Sequence, residues 1–368
     1  MTSHRLPVRP ELHDHRWITS EEIIMAQSIL PPNPQRRLAL KLAASALATH
    51  TVAARANDFH AKPVDNNANA TVMAAVNDFA TLAPATTGCL VYADVPNWPW
   101  SAGVAPDRQL FVGSAVKTFI LAQFLIDVEN GRNGVTEDTE DTISDAVRSV
   151  ASPVFLGLNG TIPFRSVLEA MIGHSDNTAT DMTLASVTPA RVRKLIAAAG
   201  LTETKIPDST RLLFSYLAGA PYGVDLGWAG VNAALDQPSL PNARPAINDR
   251  ETMLSTATEM VKWYRQVLRG TYFRKPATLT EFKRVSAQAN AIPLIVPPDI
   301  AAYAKGGSID WQGFHALCVA GQMVVDRVPV TFCFTYNWTA DQAGAEAPQA
   351  FAQKAGAVLQ ASVDAIRT

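Results

Sequence analysis

The chain has 368 residues, 48% hydrophobic and 17% charged, with a formal net charge of −2. That is globular composition with ample length for a buried core. The charge balance, with no basic clusters interleaved with aromatics, excludes a nucleic-acid binder. No apolar run reaches membrane-spanning length, so no stable membrane anchor is expected.

The first feature along the chain reads as an address. Arg36-Arg37 precede an apolar run from Leu42 to Ala54, and Ala54-Arg55-Ala56 offers a small-x-small cleavage site. Residues 1–56 are therefore read as an N-terminal extension and a segment resembling a twin-arginine export signal. Met25 would give a signal of ordinary length. The expected location is periplasmic or secreted. The plainer alternative is an amphipathic helix with an accidental arginine pair.

Residues 66–82 predict a helix with Val72, Ala75, Val76 and Phe79 as its apolar stripe. A strand follows over 87–94, broken by Asn97-Trp98-Pro99-Trp100. Residues 109–113 lead into a buried helix start, and from 114 to about 268 helical patterns dominate. Helices are predicted over 162–173, 179–186, 189–200 and 256–268. A strand at 302–304 runs into Lys305, and 314–323 and 329–336 form an antiparallel pair around Val325-Asp326-Arg327. An amphipathic helix over 348–366 closes the chain. The fold class is α+β. Cys89, Cys318 and Cys333 sit in apolar, strand-like runs without metal-site spacing, and read as buried free thiols. A Cys318–Cys333 bridge is the less favoured alternative. With the histidines scattered, neither a metal nor a cofactor is expected.

Three short motifs carry the chemistry. The first is Ser114-Ala115-Val116-Lys117. Serine and lysine three apart share a helical face, and a desolvated lysine can take the serine proton. Alone, the tetrapeptide reads better as a capping serine and a snorkelling lysine. Ser175-Asp176-Asn177 alone would be a helix cap, and Lys305-Gly306-Gly307 alone a tight turn. Together and in this order, the three motifs are read as catalytic through the resemblance they carry.

This set resembles the Ser-x-x-Lys, Ser-Asp-Asn, Lys-Thr-Gly pattern of active-site serine β-lactamases and penicillin-binding proteins, with spacing similar to class A. The resemblance spans roughly residues 57–368. It implies a β-lactamase/transpeptidase-like fold: an antiparallel sheet with flanking helices, built from 57–113 and 269–368, plus an all-helical part over 114–268. It implies Ser114 as nucleophile, Lys117 as base or proton relay, and Ser175 as proton shuttle to the leaving group. Asn177 would bond a substrate amide and Lys117, and Lys305 would supply positive potential. Ser308, carried over by position, would share an oxyanion hole with the Ser114 amide, beside Gly307. The partner implied is a small-molecule acyl substrate; oligomeric state is unreadable.

Two departures bear on the substrate. Lys-Gly-Gly replaces Lys-Thr-Gly, removing the hydroxyl that helps hold a substrate carboxylate; Ser308 or His315 are the candidates to replace it. The class A loop Arg-x-x-Glu-x-x-Leu-Asn, whose glutamate drives deacylation, should fall near 204–216. No glutamate is there, and Asp208 is the only carboxylate. The extra length at 214–248, rich in Gly, Pro, Trp and Tyr, reads as a lid over the cleft. The leading expectation is β-lactam hydrolysis. The rivals are an esterase or amidase, a D-alanyl-D-alanine peptidase, and a non-turnover β-lactam sensor.

Overall fold

The computed structural model describes residues 66–237, 240–341 and 344–368. The export-signal reading over residues 1–56 lies outside them.

Helix α1 (Ala70–Ala80) starts where the Asn69 side chain accepts the Val72 amide at 3.0 Å, and it buries Val72, Val76 and Phe79. Strands β1 (Thr87–Ala93) and β2 (Trp100–Val104) pair antiparallel. The break expected at 97–100 is a turn: Asn97 has φ 63°, and Trp100 resumes the ladder opposite Ala93. Short β3 (Leu110–Phe111) leads to a 3-10 turn, Gly113–Val116, and then to α2 (Lys117–Glu129).

The helical part also holds a two-stranded sheet, β4 (Glu140–Ile143) with β5 (Gly160–Pro163). Its helices are α3 (Phe164–Gly173), α4 (Asn177–Val187), α5 (Pro189–Ala198), α6 (Thr210–Leu217) and α7 (Gly227–Leu235). Strand β6 (Leu254–Ser255) pairs with β3. Then come α8 (Ala257–Val267), α9 (Pro276–Ser286) and α10 (Ile292–Ile295). Helix α9 packs against α2 and α3.

Strands β7 (Ala301–Trp311), β8 (Phe314–Val325) and β9 (Val328–Thr339) precede the closing α11 (Glu346–Arg367). The β8–β9 hairpin turns on Asp326 and Arg327, both left-handed at φ 47° and 74°, as a two-residue hairpin turn matching the strand twist requires. The main sheet is antiparallel in the order β2-β1-β9-β8-β7.

One sheet face packs on α1 and α11 through Phe79, Val91, Phe334, Phe351 and Leu359; the other joins the helical core. Covered on both faces, the central strands read as unbroken apolar runs. Residues 117–125 of α2 are all buried, including Lys117, so this helix has no wet face. That burial sets the chemistry of Lys117. Cys318 and Cys333 lie side by side, bridged by the Thr335 hydroxyl, and all three cysteines are free thiols.

Candidate active site

Three segments build the site. The first is the turn before α2. The Val112 amide donates to Met253 O at 2.9 Å, anchoring β3 to the segment before β6. Gly113 then takes φ 52°, open to glycine without strain, and turns the chain into Ser114. Ser114 is half-buried and Lys117 fully buried. Among the described residues the Ser114 hydroxyl makes no hydrogen bond.

The second segment is the α3–α4 corner. Helix α3 ends at Gly173, Ser175 adopts a left-handed φ of 60°, and Asp176 caps α4 by accepting the Ala179 amide at 2.8 Å. A non-glycine residue held left-handed is strained, and such strain persists only where neighbours enforce it. Here Lys117 does so. Its Nζ donates to Ser175 O at 2.5 Å and to Asn177 Oδ1 at 2.8 Å, with Ser175 Oγ at 3.4 Å. Asn177 Nδ2 donates to Val150 O at 2.9 Å, which fixes the amide with its oxygen toward the lysine. Asp176 also accepts the Val154 and Phe155 amides, each at 2.9 Å, and so ties the 150–158 segment to the corner.

Asp176→Ala leaves those buried amides without an acceptor and removes a cap. A loss of about 3 kcal/mol or more is expected, read as a lowered urea midpoint. A wild-type midpoint would refute the capping role.

The third segment is β7. Gly307 packs so closely on the first turn that a Cβ there would lie 2.6 Å from Ser114 N and 2.7 Å from Ala115 N. A Cβ on Gly113 would reciprocally meet Ser308 N at 2.8 Å. The two glycines thus bring the Ser114 and Ser308 amides to adjoining edges. Lys305 is buried beside them, its Nζ donating to Gly306 O at 2.7 Å.

Burial dominates the electrostatics. Desolvation lowers Lys117 to about 7, only partly opposed by the carboxylates of Asp176 and Asp181. Lys305 falls well below the ordinary lysine value, through desolvation first and repulsion from Lys117 second. Two lysines next to one another and out of water cannot both hold a proton cheaply.

His315 is not part of this grouping. Its Nδ1 meets Asp310 Oδ1 at 2.7 Å, its Nε2 meets Ala340 O at 3.0 Å, and the ring stacks on Trp338. Both ring nitrogens are used at the end of the β7–β8 hairpin, so it is not available to replace the missing hydroxyl. Ser308 is exposed beside the cleft. Asp208 points outward in an ion pair with Arg193 at 2.7 Å.

Sequence reasoning overlooked two acidic residues. Asp181, one turn beyond Asn177, accepts the Thr210 and Arg211 amides at 2.7 and 3.0 Å and caps α6; burial raises its pKa to about 6. Its spacing of four from Asn177 on a predicted helix was the available signal. Glu251 returns from the far end of the inserted loop to accept the Asp208 amide at 3.0 Å, leaving its other oxygen buried and unpartnered. No local signal marks it, because it lies 43 residues along the chain from its partner.

Burial raises Glu251 from 4.5 to about 7, so the folded state holds this proton more tightly than the unfolded chain does. Stability from this group is full below pH 4.5 and is lost as pH rises through about 7. Glu251→Gln is expected to match wild type in melting temperature at pH 4 and exceed it at pH 8. Equal differences at both pH values would contradict the buried-acid assignment.

A family model described as the "Beta-lactamase enzyme family" (Beta-lactamase2) matches residues 71–355. The chain belongs to this β-lactamase family. Among solved structures, a β-lactamase from Chitinophaga pinensis is similar at 16% identity and TM-score 0.62, covering 79% of this chain and 99% of that one. The chromosome-encoded β-lactamase of Vibrio parahaemolyticus has 18% identity and TM-score 0.59, covering 78% and 98%. A PBP-A mutant, solved as an acyl-enzyme complex with penicillin G, has 16% identity and TM-score 0.58, covering 79% and 97%. A search of curated proteins finds no match. At such identities the structural likeness carries the β-lactamase/transpeptidase-like fold and no finer assignment.

The stretch 204–216, where a deacylating glutamate was expected, contains the start of α6. Thr210 is buried there, its hydroxyl 3.4 Å from Asn177 O and 2.8 Å from Ser149 Oγ.

Proposed function

We propose that this β-lactamase-family protein is a serine hydrolase acting through an acyl-enzyme on Ser114, with β-lactams as its leading substrate class. The observation that carries this reading is Lys117: fully buried, lowered to about 7, and held by Ser175 and Asn177 three residues from Ser114. A neutral amine has two N–H donors and one lone pair. Ser175 O and Asn177 Oδ1 take the donors, and the lone pair is left as a base.

Lys117 accepts the Ser114 proton as Oγ bonds to the substrate carbonyl carbon. The carbonyl oxygen takes the negative charge and is stabilised by the Ser114 and Ser308 amides. The bond to the leaving nitrogen or oxygen then breaks, and that atom receives the proton from Lys117 through the Ser175 hydroxyl. Water attacks the ester carbonyl in the second half as Lys117 takes its proton; the bond from the carbonyl carbon to Ser114 Oγ then breaks, and Oγ recovers that proton from Lys117. No glutamate lies in the expected stretch, and Asp208, its one carboxylate, is paired with Arg193, so deacylation by this route is slower than one with a dedicated base.

An esterase is the second reading, favoured by Gly306. A Cβ at that position would meet Ala291 Cβ at 2.7 Å, so a hydroxyl-bearing side chain has no room there. The deciding experiment is intact mass after incubation with benzylpenicillin, beside turnover of a chromogenic cephalosporin and a nitrophenyl ester, with Ser114→Ala as control. Cephalosporin turnover lost in the control supports the β-lactamase. A stable penicillin adduct without turnover makes the protein a sensor. Ester turnover alone moves the assignment to esterase. No Ser114-dependent reaction would refute the acyl-enzyme reading.

A further inference from the structure

Seven large apolar side chains are exposed among the described residues, and six of them fall on two segments beside the α3–α4 corner. Leu156 and Leu158 are on one, and Tyr222, Val224, Leu226 and Ile247 on the other. Scattered exposed apolar residues need no explanation; their concentration on two segments does.

Both segments are built into the site. The 150–158 segment supplies Val150 O and Ala151 O to Asn177, and the Val154 and Phe155 amides to Asp176. The inserted segment grows out of α6, whose Thr210 hydroxyl reaches Asn177 O, and its far end binds β7 where Trp311 Nε1 donates to Arg244 O at 2.9 Å. It therefore runs from the Asn177 side of the cleft to the end of the Ser308 strand.

A single guanidinium holds the two segments together. Arg148, itself buried, donates to the carbonyls of Phe155, Leu156 and Leu158 and stands 6.0 Å from the Trp228 ring centroid, two residues past Leu226. Arg211 adds a second tie, from Ala146 O to the Asp225 carboxylate. The exposed apolar groups thus sit on a braced framework, as a pre-formed binding surface requires.

The Lys-Gly-Gly strand offers a carboxylate only the exposed Ser308 hydroxyl, which is neutral. Gly306 lacks the hydroxyl and Ala291 occupies its space. The Lys305 amine is buried and turned to Gly306 O, and His315 has both nitrogens engaged elsewhere. The exposed Arg250, over the Tyr222 ring at 5.5 Å, is already paired with Asp249 at 3.8 Å, so an anionic group entering here would lose its hydration with little in return.

We infer that the acyl substrate of Ser114 is neutral and lipophilic, with an apolar chain lying across Leu156, Leu158, Tyr222 and Leu226. This rests on the acyl-enzyme reading above and, within it, moves the substrate class from the carboxylate-bearing β-lactams to the neutral esters of the second reading.

The test is kcat/KM on p-nitrophenyl acetate, butyrate and octanoate, and on the anionic p-nitrophenyl hemisuccinate as the length-matched partner of butyrate. The Ser114→Ala rate is subtracted throughout. The octanoate-to-acetate ratio should be about 10 or more, well within what burial of six methylenes can supply. Butyrate should exceed hemisuccinate by about 10-fold, as expected where a site leaves a charge unpaired. The octanoate-to-acetate ratio should fall several-fold in Leu156→Ser/Leu158→Ser and in Tyr222→Ser, with melting temperatures checking that each variant is folded. Ser114-dependent turnover that is flat with chain length, or faster on the hemisuccinate, overturns the inference and leaves the hydrolase standing. Absence of any Ser114-dependent turnover or adduct removes both.

Discussion

Lys117→Arg is expected to slow acylation of Ser114 by about 10³-fold, within the range for loss of a positioned general base. A guanidinium keeps its charge at every working pH, so it cannot accept the serine proton. It can still donate to Ser175 O and Asn177 Oδ1, so the corner keeps partners and the lost step is proton transfer. In the wild type the base form of Lys117 should appear as pH rises through about 7. Acylation should therefore climb about tenfold per pH unit on the acid side and level off above neutrality. Asp181 is also raised, to about 6, so the foot of that limb reports the pair rather than one residue. Stopped-flow acylation across pH 5–9 measures both the limb and its loss in the arginine variant. An arginine variant acylating at the wild-type rate would show that Lys117 is not the base.

Gly307→Ala is the second large effect expected. The added Cβ would press on Val112 O and on the Ser114 and Ala115 amides, all of them backbone atoms with no rotamer to yield. Either β7 moves away from the Ser114 turn or the turn distorts. Both separate the Ser114 and Ser308 amides from the position of the reacting carbonyl oxygen. A displacement near 1 Å costs on the order of 10²-fold in rate, and overpacking costs about 1–3 kcal/mol of stability. Single-turnover acylation beside a urea melt separates the two. Full activity in a folded Gly307→Ala protein would show that the two amides do not form the oxyanion hole.

Much of the fold was legible because its elements carry local signals. The α1 stripe recurs at helical spacing, and the apolar runs of β8 and β9 are those of strands covered on both faces. The left-handed pair at Asp326-Arg327 sits where the turn was expected. Strand β2 was hidden by the Trp-Pro-Trp turn before it, α6 by lying in the 204–216 stretch read as a loop, and α7 by a surrounding composition rich in Gly and Pro. Their stability comes from distant partners: Asp181 for the start of α6, Arg148 for the neighbourhood of α7.

For the site, the ordered motifs and their resemblance to the serine β-lactamase pattern selected Ser114, Lys117, the Ser175-Asp176-Asn177 corner and the Lys305-Gly306-Gly307 strand. Tertiary structure decided what those groups are. Burial in α2, with Asn177 and Ser175 closing over it, makes Lys117 a base near neutrality, and a pKa of that kind belongs to an environment and not to a tetrapeptide. The packing of Ala291 against Gly306 removes the room for a hydroxyl, and the hairpin end engages His315. Glu251 reaches the Asp208 amide only after a long loop closes. Desolvation and close approach depend on which distant segments meet, and only the folded chain holds that information.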